Sequence, residues 1–355
     1  MIQAVLFDWG DTVMRVFPEY DGPMVEWPRV EAMPGIAAAL EALQGRYRVV
    51  LATNAAASGA TLVWAALQRV GLEKGFFAVF TAHELGLRKP DPAFFQAIVR
   101  ALGVSPQDTA MVGDDYRADV AGAKAGGLRA VWYNPSGAPC PALHPLHDAE
   151  ASDLAALPAA LESIRLPDLA ECLRWLSQQD LAPQVERHSY AVAGVAFRIA
   201  EALRARGLPV DPLLAHRGGL LHDLAKLSGK RQGRPHGTLA GELLRARGYP
   251  DLAAVAERHV LLALLDPASP DRPVTWEEKV VHYADKIVSG ETLVGLPARL
   301  DDLCRRYPDY AERIRRCEPA ITALEAEICS ALGTTPAALL EDLRRQIDAA
   351  QQGAL

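Results

Sequence analysis

The stretch Leu6–Val13, LFDWGDTV, decides how the first half of the chain is read. An apolar run, QAVLFD, ends on the carboxylate of Asp8, and Gly10 follows two positions later. Further along, YRVVLATN ends near Thr53 and TAMVGD ends on Asp114. Between these runs lie helical patterns: GIAAALEALQG, GATLVWAALQRVGL, PAFFQAIVRALGV and ADVAGAKAGG. With FFAVFTA and LRAVWYN, the spacing predicts five short strands alternating with helices, hence βαβ units and a parallel sheet. Functional groups in such sheets gather at the carboxyl ends of the strands, where Asp8, Thr53 and Asp114 fall.

The chain has 355 residues, half of them apolar and few aromatic, which predicts two domains rich in packed helix. A formal net charge of −7 disfavours nucleic acid as a partner. The five cysteines, Cys140, Cys172, Cys304, Cys317 and Cys329, form no CxxC pair and read as reduced thiols. No run approaches the roughly 18 apolar residues of a membrane span, and no basic-then-apolar leader is visible, so a cytoplasmic protein is expected.

The grammar changes after the Pro- and Gly-rich NPSGAPCPALHP and the helical ASDLAALPAALESI. From Pro167 the stretches QVERHSYAVAGVAFRIAEALRARG, PLLAHRGGLLHDLAK, GTLAGELLRARG, DLAAVAERHVLLALL, WEEKVVHYADKIVSG and YAERIRRCEPAITALEAEICSAL are helical in spacing. The boundary is therefore placed between residues 166 and 167, with an α/β domain before it and an all-α domain, 167–355, after it. The amphipathic tail RRQIDAAQQ is expected to pack or to pair, which leaves a homo-oligomer open.

Transfer of a phosphoryl group through a covalent intermediate needs four things: a carboxylate nucleophile, a polar grip on phosphate, a cation, and carboxylates for Mg²⁺. Asp8, Thr53, Lys89 in RKPDP, and Asp114–Asp115 with Asp119 in GDDYRADV supply all four. On these residues, 1 to about 165 resembles the haloacid dehalogenase superfamily. The resemblance implies Asp8 as nucleophile, and Mg²⁺ held by Asp8, the Gly10 carbonyl and Asp114. It also implies Thr53 and Asn54 on the phosphoryl group, Lys89 as the neutralising cation, and Asp115 or Asp119 orienting metal waters or Lys89. Phosphatases of that family usually carry Asp where this chain has Gly10, and general acid–base help is worth typically 10²–10⁴-fold. Asp11, one position along, reads as a cap of the turn, with substitution for the missing acid–base, in contact with substrate, as the alternative. No insertion is long enough for a large cap domain, so an open site is expected.

In the second half, His188, His236, His259 and Asp285 each lie on or beside an apolar helical stripe, and the pair His222–Asp223 sits within GGLLHDLAK. Singly each histidine reads as core. A buried carboxylate, however, needs a partner or a metal, and an adjacent imidazole and carboxylate can serve one metal or two. Residues 168 to about 300 resemble the HD superfamily of metal-dependent phosphohydrolases. The match rests on His188, His222–Asp223 and Asp285, with His236 and His259 as the further pair of two-metal members. The resemblance implies one or two divalent transition ions (Mn, Fe, Co, Ni or Zn). It also implies a small phosphorylated substrate of the nucleotide class. Lys226 is read as a phosphate or carboxylate contact, or as a plain surface lysine. His216 and His282 read as core, and His83, His144 and His147 as residues without a partner.

Overall fold

The computed structural model describes residues 2–55 and 58–352. They form two compact units. One runs to Pro139 and resumes over Leu146–Arg165; the other comprises Cys140–Pro145 and the chain from Leu166 onward.

The first unit is built on a parallel sheet of β1 (Ala4–Phe7), β2 (Arg48–Thr53), β3 (Ala78–Thr81), β4 (Thr109–Gly113), β5 (Arg129–Tyr133) and β6 (Ala149–Ala151), in the order β3-β2-β1-β4-β5-β6. β1 and β4 are buried along their whole length, as expected of strands covered on both faces. β1 pairs with β2 and β4, Ala4 aligning with Arg48 and with Thr109, so Asp8 and Asp114 emerge side by side where the strand order reverses. That crevice is where open α/β sheets carry their chemistry. β6, AEA, is a strand that the sequence pattern does not reveal. Between Val13 and Ile36 there is one short 3₁₀ turn, Met24–Glu26, and no cap domain.

The second unit is helical, with a core running from Val192 on the long helix Pro183–Ala205 to Leu343 on the last one. Two differences from the sequence reading bear on the site. GGLLHDLAK is not one helix: Pro212–Leu221 ends before His222, and a new helix starts at Lys226. The all-α expectation also misses a two-residue hairpin, β7 (Val288–Ser289) with β8 (Thr292–Leu293), directly after Asp285.

Cys140–Pro145, expected to be linker, packs as a strap on this unit. Arg198 donates to the carbonyls of Cys140 (2.9 Å) and Ala142 (3.2 Å), and Arg217 to that of Pro145 (3.2 Å). His144 has a partner after all: its Nδ1 lies 3.0 Å from His216 Nε2. His147, in the first unit, likewise bonds the Tyr116 hydroxyl, Nδ1 to Oη 3.2 Å.

The helices Pro183–Ala205 and Pro212–Leu221 cross at Gly219, where an added Cβ would fall 2.9 Å from Ala193 Cα. Backbone cannot yield cheaply there, and overpacking costs typically about 1–3 kcal/mol. Gly219→Ala is therefore expected to lower the unfolding free energy of the helical unit by that amount, read by denaturant titration.

Candidate functional site

In the first unit, the Lys89 ammonium is buried between two carboxylates, bonding Asp8 Oδ1 and, at 2.6 Å, Asp119 Oδ1. Burial opposes the charge on Lys89, but Asp119 and Asp8 outweigh it and raise its pKa. Burial pushes Asp119 up to about 8, with Lys89 drawing it back and Asp8 adding to the rise. Asp119 reaches this position from a π-helical turn, Tyr116–Ala121. Only glycine can stand at 113 beneath it, since a Cβ there would lie 2.1 Å from Asp119 Oδ2. Asp114 Oδ1 accepts from Thr12 Oγ1 (2.9 Å), a buried residue that the sequence reading did not single out. Burial raises Asp114 against that bond.

Carboxylate oxygens of Asp8, Asp114 and Asp119 lie within 4.8 Å of one another. This all-oxygen set fits Mg²⁺. The Asp115 carboxylate is turned elsewhere, capping the next helix by accepting from Arg117 N (2.9 Å) and Ala118 N (2.8 Å). Asn54 is also engaged: it donates to the Lys89 carbonyl (3.0 Å) and accepts from the Lys89 N–H (2.8 Å), fixing the backbone that carries the lysine. Thr53 Oγ1 accepts from Ala55 N (3.1 Å). Asp11, at φ 51°, accepts from Val16 N (3.0 Å) and caps its turn.

In the second unit the helix ends converge. The break after Leu221 presents His222 and Asp223, the long helix brings His188, and the ends of three further elements bring His236, His259 and Asp285. His188 Nε2 faces Asp285 Oδ1 at 2.9 Å and His236 Nε2 faces His259 Nε2 at 3.0 Å. Asp223 lies between the groups, Oδ2 3.4 Å from His222 Nε2 and Oδ1 3.3 Å from His236 Nε2.

Three histidines are oriented from behind. Nδ1 of His188 bonds the Gly290 carbonyl (2.9 Å), that of His222 the Gly219 carbonyl (2.7 Å), and that of His259 the Ala256 carbonyl (2.6 Å). Each Nδ1 thus donates to a carbonyl and each Nε2 is turned inward. Burial disfavours a charged His222, but Asp223 and Asp285 outweigh it and raise its pKa. The hairpin turn supplies the first of these carbonyls, and the helix break exposes the second imidazole.

Lys226 Nζ bonds Asp223 Oδ2 at 2.5 Å, and Lys286, which sequence reading missed, bonds Asp285 Oδ2. Burial disfavours ionised Asp223, but His222, His236 and Lys226 hold it well below the usual carboxylate range. Lys286, His188 and His222 do the same for Asp285 against its burial. Burial, with His222 and His236 nearby, keeps His259 neutral.

Among the described residues the fully buried His222 Nε2 has no hydrogen-bond partner, an arrangement that calls for a cation. Its overlapping neighbours, His188–His222–Asp223, His222–His259–Asp285 and Asp223–His236–His259, are mixed nitrogen and oxygen sets. Such donors suit a divalent transition ion.

Residues 4–127 match the haloacid dehalogenase-like hydrolase family, and 185–289 the HD domain family. The chain joins a haloacid dehalogenase-like hydrolase domain to an HD domain. An uncharacterized protein of Methanocaldococcus jannaschii is 32% identical over 146 residues, 39% of this chain and 81% of that one. Phosphoserine phosphatase of Thermus thermophilus is 47% identical over 64 residues, 18% of this chain and 26% of the enzyme. Among solved structures, an uncharacterized protein from Listeria monocytogenes serotype 4b shares 26% identity over 46% of this chain and 99% of that one, with a TM-score of 0.42. Both domains belong to phosphohydrolase families. No helix among the described residues is long and apolar enough to cross a membrane.

Two outcomes are expected. Adding Mn²⁺ to chelator-treated protein should raise the unfolding midpoint of the HD domain. The gain is about 2.7 kcal/mol at a hundredfold excess over Kd, and Asp223→Asn should remove it. His282 is fully buried, its Nδ1 on the Arg258 carbonyl (2.9 Å), and burial presses it down to about 3. An imidazole that stays neutral in the fold but takes a proton near pH 6.5 when unfolded stabilises fully above that pH and progressively less below it. Calorimetry between pH 7 and about 4 should show the HD-domain midpoint falling, with a shallower slope in His282→Asn.

Proposed function

We propose that the HD domain is the principal catalyst, a metal-dependent phosphohydrolase acting on a phosphate ester or anhydride of the nucleotide class. The observation that carries this reading is the buried Nε2 of His222, unpartnered amid ionised Asp223 and Asp285. His188, His222, Asp223 and Asp285 would hold one ion, with His236 and His259 completing a second position across Asp223. A bound transition ion supplies an acidified water and polarises phosphoryl oxygens. The chain's own residues do the rest. Asp285 pairs with His188 Nε2, and Asp223 and Asp285 keep the site anionic. Lys226, paired with Asp223 and with a side chain 39% exposed, offers its ammonium to a phosphate oxygen.

The α/β domain acts, in this reading, as a phosphomonoesterase weakened by Gly10. Asp8 is its nucleophile, and Lys89 balances the charge of Asp8 and of the incoming phosphoryl group. Mg²⁺ held by Asp8 and Asp114 would shield the phosphoryl oxygens. Thr53 and Asn54 serve it chiefly through the backbone near Ala55 and Lys89. The partial likeness to a Thermus phosphatase supports a small phosphorylated substrate. A second reading, in which this domain binds a phosphorylated ligand without turnover, draws on the absence of an acid at position 10.

Phosphate release from a nucleotide panel with Mg²⁺ or Mn²⁺ distinguishes the two domains. Asp223→Ala should lose about 100-fold or more, since even outer partners of metal ligands are worth 10–100-fold, while Asp8→Asn should leave nucleotide hydrolysis intact. Loss only in Asp8→Asn would reverse the ranking.

A further inference from the structure

We propose that the α/β site takes a phosphoryl group onto Asp8 from donors whose leaving group needs no proton, acyl phosphates above all, and then retains it. Val16, not an acid, fills the space beside Gly10. The proposal rests on the reading of Asp8 as nucleophile and assigns that site its donor class.

The turn after β1 closes on itself. Val13 N and Met14 N donate to the Trp9 carbonyl at 3.0 and 2.8 Å, and Asp11 N donates to the Met14 carbonyl at 2.7 Å. This folding brings Val16 over Gly10, where an ideal Cβ would lie 3.0 Å from Val16 Cγ2. Gly10 is not in the left-handed region, so the backbone would admit another residue. What stands in the way is a methyl group. Asp11, the one acid of the turn, holds it there through the bond from Val16 N. The other carboxylates of the site are engaged as well: Asp114 by Thr12, Asp119 by Lys89 and Asp115 N, and Asp115 by the helix that it caps.

The chemistry follows from that inventory. In the first step an Asp8 carboxylate oxygen attacks phosphorus. The new O–P bond forms as the P–O bond to the acyl carboxylate breaks, its electron pair leaving on the carboxylate. A carboxylate with a pKa near 4 departs without a proton. An alkoxide does not, so sugar and alcohol phosphates are poor donors at this site. Release requires water to attack the same phosphorus while giving up a proton, and no free base faces Asp8 among the described residues. Without that help the second step slows by the typical worth of a general acid–base, about 10²–10⁴-fold, and the aspartyl phosphate accumulates.

The test is intact-mass spectrometry of the full-length protein after brief exposure to acetyl phosphate and Mg²⁺, then desalting. One phosphoryl adduct per chain is expected, hydroxylamine-labile, absent in Asp8→Asn and absent when glucose 6-phosphate is the donor. Its decay should quicken about 100-fold in the double variant Gly10→Asp/Val16→Ala, and in wild type on adding imidazole as an external base. The imidazole arm stands if the double variant fails to fold. Steady Asp8-dependent phosphate release with no adduct overturns retention while preserving the phosphatase reading. No adduct and no Asp8-dependent release overturns both. An adduct whose decay ignores imidazole overturns the role given to the missing base.

Discussion

Buried carboxylates answered by neighbouring ammonium groups are the condition on which both domains are organised. Removing a carboxylate from water costs several kcal/mol unless an opposite charge and hydrogen bonds answer it. Lys89 answers Asp8 and Asp119 at once, Lys286 answers Asp285, and Lys226 answers Asp223. Much of the local backbone follows from these pairs. Asn54 braces the segment that delivers Lys89, the π-helical turn delivers Asp119 past Gly113, and the helix break after Leu221 lets Asp223 and Lys226 meet within one turn.

The two sites differ in how completely they are furnished. In the HD domain every inward-facing nitrogen of His188, His222 and His259 is set by a carbonyl behind it, so the donors are oriented before any ion arrives. In the α/β domain Asp8 and Lys89 are equally well set by their ion pair, but the turn after β1 places Val16 beside Gly10.

The sheet and the candidate site residues were legible because their signals are local. Apolar runs ending on Asp8 and Asp114, and His222–Asp223 inside an apolar stretch, need no knowledge of distant contacts. What escaped was set by tertiary contact. The strand Ala149–Ala151 is too short and too polar to register as an apolar run. GGLLHDLAK keeps helical periodicity across a break that is favoured only once its histidine has neighbours to face. Asp11 and Asp115 look like site carboxylates on spacing alone, yet each turns to a nearby backbone N–H, an ordinary preference of aspartate at turns and helix starts. His144 seemed isolated because its partner, His216, is 72 residues away.

The strap Cys140–Pro145 sets a limit on taking the protein apart. Composition invites a cut near Pro167, yet the chain that completes the HD domain begins some two dozen residues earlier, beyond an intervening piece of the other domain. A fragment starting at Pro167 would strip Arg198 of the Cys140 and Ala142 carbonyls and Arg217 of the Pro145 carbonyl, and leave Gly194 facing the hollow left by Leu143. The two domains are thus interleaved in sequence, the helical one drawing Cys140–Pro145 from within the span of the other.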